Sequence, residues 1–551
     1  MCTIGGATGR MMTFLTPGVC TVAADQPGNA LYNASPQATL SFAVGPAGAP
    51  PATFTVTNLG NNGPGSLRDA IAQANLAPGP NIVDFAPGLT GTIVLTGGQI
   101  QISGPTQIVG PGAANLTIDG NGILNVNNFS RIFSIFATDP ACPAIDGPDY
   151  LVSISGLRLT NGRQKSGGSA GAVFTEHSLI LDSVVIDNSV ARAGGGVRSD
   201  VQYAGQTLGI FNSQFLNNTA TELVPPSPFN VKGGAVDIAE RCANATDTPY
   251  TEPVSVTIAN SEFRGNSVQP VTQEGRGGAL RSWSRADIVI TDSIFVDNHV
   301  DAPNPPTAGR VYHGGAFDGS MKSLRIERTE VAENSANDAT GADVTRSGGL
   351  HLHNSQVDRQ SPAGSMGVKI IDSTISGNLS SATAGAMVAF GNTALELVNT
   401  TVSDNFAAPT RTGGIIMSSG DTYPVTGSIT ARPTLSVVSS ILANNSSAGG
   451  DLASNTVTMP TLTINAVNSL VEKLCPTCSI FVTGTGNLLG IDPMLAPLAA
   501  NGGPSRTQAL LPGSPAINAG SNPLGLATDQ RGIGFPRVNG GTADMGAYES
   551  P

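Results

Sequence analysis

The sequence predicts an all-β chain: a right-handed parallel β-helix solenoid with a short N-terminal capping helix and a small β-rich N-terminal remnant. Three observations carry this. The first is composition. Of 551 residues, 68 are Gly and 38 are Pro, while only 12% are charged and 5% aromatic. Hydrophobic residues still reach 40%, enough for a large core, so disorder is not expected. Such a chain is built from short strands and tight turns. The second is an eight-residue pattern, Asp/Asn then Ser/Thr, an alternating segment and a closing Asn. It returns as LDSVVIDN (ending at Asn188), FNSQFLNN (Asn218), ANSEFRGN (Asn266), TDSIFVDN (Asn298), ERTEVAEN (Asn334), IDSTISGN (Asn378), VNTTVSDN (Asn405) and VSSILANN (Asn445), with a looser copy ending at Asn161. The third is a Gly pair leading into a short apolar strand between these copies, as in GGAV (233–236), GGAL (277–280) and GGAF (314–317).

Each element has a physical reason. Alternation in SIFVDN or VVIDN sends one face inward and the other outward. Stacked coils then place equivalent positions about 4.8 Å apart, and inward Val, Ile, Phe and Leu form ladders. A repeated Asn can bond backbone at a turn and the Asn of the next coil. Paired Gly permits positive φ and a close corner. The interval between closing Asn residues varies, from 27 (378 to 405) to 48 (218 to 266). Fixed strands with variable loops mark a solenoid rather than a β-sandwich, whose regular hairpin signals are missing. Handedness follows the general rule for parallel crossovers. The one strong helical pattern is SLRDAIAQANL (66–76), with Ser66 as N-cap, Asp69 three residues on, and Leu67, Ala70, Ile71 and Ala74 as an apolar stripe. It is expected to plug the N-terminal end of the stack.

Net charge is −12 and the pI is about 4.8, which gives no electrostatic footprint for nucleic acid. No stretch approaches the roughly 18 apolar residues of a membrane span, and the first residues lack the layout of a signal peptide. Six cysteines, Cys2, Cys20, Cys142, Cys242, Cys475 and Cys478, favour an oxidising, extracellular setting. CPTC (475–478) has neither a second ligand pair nor a surrounding βαβ unit, so it reads as a local disulfide or idle thiols.

Several segments resemble known bacterial families. TFTVTNLGNNGPGSLRDAIAQAN (53–75) resembles the CSLREA-type opening of secreted β-helix proteins, without that family's Cys. The GGA and FxxN repeats (Phe263 to Asn266, Phe295 to Asn298) resemble polymorphic outer-membrane-protein repeats, found in pectate-lyase-like β-helix surface proteins. The run IDPMLAPLAANGGPSRTQALLPGSPAINAGS followed by TDQRG and DMGAYE (491–549) resembles the choice-of-anchor Q domain, with Gln508 where that pattern has His. Residues 2–45 resemble the final part of a bacterial Ig-like repeat, which implies a pair between Cys2 and Cys20 and a chain cut from a longer surface protein. The expected organisation is an Ig-like remnant (1–45), a linker and cap (46–101), β-helix coils (102–483) and a choice-of-anchor Q-like module (484–551). The resemblance implies a protein that is extracellular or on the bacterial cell surface. It specifies no reaction.

Aligning strands on the Gly pair gives the candidate site. Val236, Leu280 and Phe317 fall inward, and the next position places Asp237, Arg281 and Asp318 on successive coils, outward and exposed. Trp283 and Ser320 lie two residues further, with Arg198 and Asp200 on the preceding coil. In an enzymatic reading Asp237 and Asp318 are a catalytic carboxylate pair about 9–10 Å apart, near the wide limit for an inverting hydrolase. Arg281 holds a uronate and Trp283, Arg198 and Asp200 bind substrate. The bland reading, an ion ladder on the surface, has the greater weight. His351 and His353 share one face of a strand and can ligate a metal, but no third ligand is apparent, so two solvated imidazoles are expected and no metal site is assigned. Ca²⁺ has no specific motif, no cofactor is assigned, and no GxSxG, HExxH or phosphate loop occurs. Asp492, Asp529, Asp544 and Glu549 read as turn and strand-end hydrogen-bonding residues. The expected function is an adhesin-like binding or structural module that recognises polysaccharide or cell-surface glycan. The alternative is a polysaccharide lyase or glycoside hydrolase acting in a groove along the β-helix.

Overall fold

Every second side chain is buried in strands such as Val254–Ala259 and Ala286–Thr291. Strands of this kind hide their apolar face only by stacking into walls around a shared interior. The computed structural model describes residues 51–122, 130–136, 148–164, 168–222, 229–240, 254–303, 310–337, 345–353, 366–409, 411–418, 432–445, 449–454 and 461–551, and the backbone of four strands before residue 45. Three parallel sheets of 14, 13 and 11 strands form the walls, with smaller parallel sheets of six and three strands at one corner. One coil runs through Val254–Ala259 (14-stranded sheet), Glu262–Arg264 (13-stranded), Ser267–Gln269 and Gly275–Arg276 (corner), and Leu280–Trp283 (11-stranded) before the next begins. The fold is a right-handed parallel β-helix. A single apolar core runs from Val56 to Val471. Inside it Phe215, Phe263 and Phe295 stack with centroids 4.8 and 4.5 Å apart.

The repeated motif proves to be two turns of one design: a left-handed residue followed by a ladder residue. At the first turn Asn212, Asn260, Asp292, Arg328 and Asp372 have φ between 44° and 51°. The Ser or Thr that follows accepts an N–H from the preceding coil, as in Ser213 N to Ser261 Oγ (3.2 Å) and Ser261 N to Ser293 Oγ (3.2 Å). At the second turn Asn217, Gly265, Asp297, Glu333, Gly377, Asp404 and Asn444 are left-handed, and the next residue is the ladder Asn. Each ladder oxygen accepts both the backbone N–H and the side-chain amide of the Asn one coil earlier, from Asn218 through Asn266, Asn298, Asn334, Asn378 and Asn405 to Asn445. The ladder ends on Asp451, whose two oxygens accept from Asn445 and from Lys473 N. One expectation needs correcting. Asn161 and Asn188 both align with the left-handed Asn217, and Gly162 and Ser189 occupy the ladder position of their coils, Ser189 donating its N–H to Asn218 Oδ1.

The Gly pairs form the corner before the 11-stranded sheet. The first Gly is left-handed, as at Gly277 (φ 68°) and Gly314 (φ 63°). The second lies against the next coil, where a Cβ on Gly278 would sit 2.0 Å from the Gly315 carbonyl.

At the N-terminal end helix α1 (Leu67–Leu76) lies over the stack with Leu67, Ala70, Ile71 and Ala74 buried. Ser66 Oγ accepts Asp69 N (3.2 Å), and the Asp69 carboxylate accepts Gly65 N (3.0 Å), a reciprocal cap. Before residue 45, Cys2–Gly5 pairs with Met11–Phe14 and Gly18–Ala24 with Ala38–Val44, both antiparallel. The side chains of Cys2 and Cys20, and residues Cys142 and Cys242, lie outside the described residues. Cys475 and Cys478 form a disulfide.

Beyond residue 490 the chain returns along the outside of the 13-stranded sheet. Leu510, Ala516 and Met545 pack on Ile441, Ala443 and Leu470. Arg506 binds Glu330 and Glu333, and the fully buried Arg537 binds Asp372 (3.0 Å) and Glu549 (2.9 Å). Gln508 donates to Asp404 (2.5 Å). Asp529, Asp544 and Glu549 accept backbone N–H groups of the same segment.

Candidate functional site

The Gly-pair corner fixes where each following side chain points, so equivalent residues stack in register. Arg198, Asp237, Arg281, Asp318 and His351 occupy one position on five successive coils of the 11-stranded sheet. Their side chains leave the outer face of that wall, as alternation requires, but they are not exposed. Asp237 and Asp318 have no accessible surface and Arg281 retains 3%. Trp283, Arg198 and Asp200 are half-buried. The reason lies just before each Gly pair. The segments Val231–Lys232, Gly275–Arg276 and Tyr312–His313 form their own small sheet, and they bring Lys232, Arg276 and His313 against the column.

Charges in this layer are paired. Arg198 binds both Asp200 and Asp237, and Arg281 Nη1 lies 3.1 Å from Asp237 Oδ1. Burial opposes the Asp237 charge, yet Arg198, Arg281 and Lys232 outweigh it and hold the carboxyl at about 2. Arg276 binds Glu274 (2.9 Å). The guanidinium carbons of Arg281 and Arg276 lie 4.9 and 5.6 Å from the centroid of Trp283. Lys232, facing Arg281 and then burial as the main penalties, falls to about 7.

Beyond Arg281 the column changes character. Asp318 Oδ1 is 2.7 Å from His351 Nδ1, 3.5 Å from His313 Nδ1 and 3.6 Å from His353 Nε2. Leu350 and Leu352 face the core as expected, but the imidazoles of His351 and His353 are each 1% exposed rather than solvated. The third group that the sequence did not reveal is His313, together with Asp318. Donor atoms of His313, Asp318 and His351 all lie within 4.8 Å of one another, the spacing that can hold a metal ion. Burial opposes the Asp318 charge, but hydrogen bonds from the three histidines keep it well below the usual carboxylate range. The one available signal was that His313 directly precedes a Gly pair, and the corner turns it back onto the strand that carries Asp318.

The exposed counterpart lies on the outer face of the 14-stranded sheet. A shallow groove of about 830 Å³ runs along the stack. Its floor is the in-register row Ser323, Gly367, Ala394 and Thr434, and beside it run Val289, Arg325, Lys369, Glu396, Ser436 and Asn465, one residue per coil. Six coils span about 24 Å at strand spacing. Lys369 and Glu396 pair at 2.9 Å at the surface.

No family model and no curated protein matches the sequence. Among solved structures the chain is similar to the catalytic unit of a thermostable GH87 α-1,3-glucanase from Streptomyces thermodiastaticus (13% identity, TM-score 0.35, 81% of this chain and 71% of that one). It is also similar to the A-module of mannuronan C-5 epimerase AlgE4 from Azotobacter vinelandii (13%, 0.34, 77% and 93%). A third is PfbA, a surface adhesin of Streptococcus pneumoniae (15%, 0.28, 68% and 87%). These are likenesses of fold. Among the described residues no helix is long and apolar enough to cross a membrane.

Proposed function

We propose that the chain is a secreted or cell-surface, adhesin-like β-helix that binds a linear polysaccharide along the outer face of its 14-stranded sheet, with a choice-of-anchor Q-like C-terminal module. The observation that carries this reading is the groove. Its floor is made of small side chains, and polar or charged groups recur beside it on five of its six coils. A polymer with a regular repeat can meet such a row at several coils, so weak contacts add along one chain. The ion-paired column on the 11-stranded sheet is a framework in this reading. Glycan-array binding followed by calorimetry tests it. Arg325→Glu with Lys369→Glu is expected to weaken binding at least tenfold with an unchanged circular dichroism spectrum. Failure to bind any glycan, or binding indifferent to both changes, refutes it.

Lys232 supports one alternative. A lysine near 7 beside Arg281 and Arg198 has the properties of a base for β-elimination from a uronate, so the second reading is a polysaccharide lyase with Lys232 as base and Arg281 and Arg198 on the carboxylate. A hydrolase fits less well. Asp237 and Asp318 are both held below the usual carboxylate range, so neither is suited to protonate a leaving group. Release of unsaturated uronate, lost in Lys232→Met, is the lyase outcome; no release from acidic glycans excludes it.

A further inference from the structure

We propose that His313, Asp318 and His351, with His353 beside them, form a closed site for one divalent transition-metal ion of the zinc class. This inference stands independently of the groove and of either functional reading.

The donor set comes first. Two imidazoles and one carboxylate bring their donor atoms within 4.8 Å of one another, a third imidazole lies 3.6 Å from the same carboxylate oxygen, and Zn²⁺ takes such nitrogen and oxygen ligands in a tetrahedron. With bonds near 2.0–2.1 Å, ligand atoms of a tetrahedral site lie about 3.3 Å apart. The separations from Asp318 Oδ1 are 2.7, 3.5 and 3.6 Å, so small rotamer adjustments suffice. Calcium and magnesium require oxygen-rich shells, which a single carboxylate does not supply.

The scaffold is the second argument. Asp318 and His351 are in-register partners on adjacent strands of the 11-stranded sheet. His353 lies two residues on from His351, on the same face of its strand. His313 precedes the Gly314–Gly315 corner, whose left-handed first residue fixes its position relative to Asp318. Strand-held ligands are placed more tightly than loop-held ones.

The third argument is what the protein alone leaves undone. The Nε2 atom of the buried His313 and the Oδ2 atom of the buried Asp318 have no hydrogen-bond partner, and polar groups this deep are costly when unpaired. The neighbouring cations are committed elsewhere: Arg198 and Arg281 bind Asp237, and Arg276 binds Glu274. Arg281, on the neighbouring strand, attracts Asp318, but among the described residues no arginine or lysine lies within ion-pair distance of it. A divalent cation between His313, Asp318 and His351 supplies the missing charge and uses both the Asp318 oxygen and the His313 ring. The competing account is a plain Asp318–His351 ion pair.

The full chain is produced in zinc-supplemented medium, passed through chelator-containing buffer and analysed for metal. Production with Co²⁺ in place of zinc adds the visible absorption of a tetrahedral ion. The expected result is one metal per chain and an intense tetrahedral cobalt band, with the metal lost in His313→Gln and His351→Gln and retained in His299→Ala, which changes a histidine outside the cluster that pairs with Asp301. A wild-type chain without retained metal and without that band overturns the proposal in favour of the ion pair. So does metal that survives both glutamine substitutions. If the substituted chains do not fold, the wild-type metal content and cobalt spectrum decide alone.

Discussion

Replacing Asn298 by Ala tests the Asn ladder at its middle. Asn298 Oδ1 accepts Asn266 N (3.1 Å) and Asn266 Nδ2 (2.9 Å), and Asn298 Nδ2 donates to Phe263 O (2.9 Å), Val296 O (3.1 Å) and Asn334 Oδ1 (2.9 Å). After truncation Asn266 Nδ2 still has Phe215 O, and Asn334 Oδ1 still has Asn298 N. The group left wholly unpaired is the Asn266 N–H, fully buried, at about 1–3 kcal/mol. A small cavity adds to this, for a total of about 2–4 kcal/mol. Asn298→Asp is expected to cost at least as much. It keeps one acceptor but turns its second oxygen toward the carbonyls of Phe263 and Val296. The ladder tolerates a carboxylate at Asp451 because the second oxygen there meets Lys473 N at 2.6 Å. Solenoids can unfold in stages, so urea unfolding is read beside hydrogen exchange of residues 262–268, where protection should fall. A loss under about 0.5 kcal/mol, or an Asp variant more stable than the Ala variant, refutes the ladder argument.

Other consequences follow from single positions. Gly278→Ala is expected to block folding or cost more than about 4 kcal/mol, because its Cβ meets the Gly315 carbonyl at 2.0 Å and His299 N at 2.7 Å; Gly367→Ala, with nothing within 4 Å, should leave the urea midpoint unchanged. Lys232 titrates near 7 when folded, below its unfolded value of about 10.4. The native state therefore releases its proton first, and stability should rise between pH 7 and pH 10, by at most about 5 kcal/mol from this group. Lys232→Met should flatten that rise and stabilise most at pH 6, as read by unfolding midpoints across pH. Arg537→Met strands Asp372 and Glu549 and should cost about 3–5 kcal/mol, seen as faster proteolysis of the segment after residue 490.

The repeat was legible because a stack demands the same side chain at the same place on every coil. Ser/Thr and Asn at the turns, a left-handed residue before each, and Gly at the corner are all local requirements. The slips at Asn161 and Asn188 have the same origin: their coils use Gly162 and Ser189 in the ladder, leaving only the left-handed Asn to align by. The column from Arg198 to Asp318 was legible for a related reason, since a fixed offset from the Gly pair fixes register. Its burial was not. Period-two alternation tells which side of a wall a residue leaves, and says nothing of what lies over that side. Here the residues just ahead of each Gly pair, Lys232, Arg276 and His313, fold back over the column, which turned an expected binding face into an interior layer. The clamp by Arg506 and Arg537 was also out of reach, because both pair with carboxylates about 165 to 176 positions away.

The order of charges in that layer follows from stacking. In a parallel in-register sheet each residue has two like-placed neighbours about 4.8 Å away, so a charge must suit both. Arg198, Asp237, Arg281 and Asp318 alternate in sign, and every neighbouring pair attracts. This differs from an isolated ion pair, where exchanging the partners restores the attraction. Asp237→Arg leaves one attractive contact of three, and so does Arg281→Asp. Their combination also leaves one, since it sets like charges beside both Arg198 and Asp318. The double variant should therefore be about as destabilised as either single change, whereas exchanging the partners of an isolated pair restores most of the loss. Recovery of more than half the loss would mean that the column behaves as separate pairs, and the alternation would then have no role in setting the sequence.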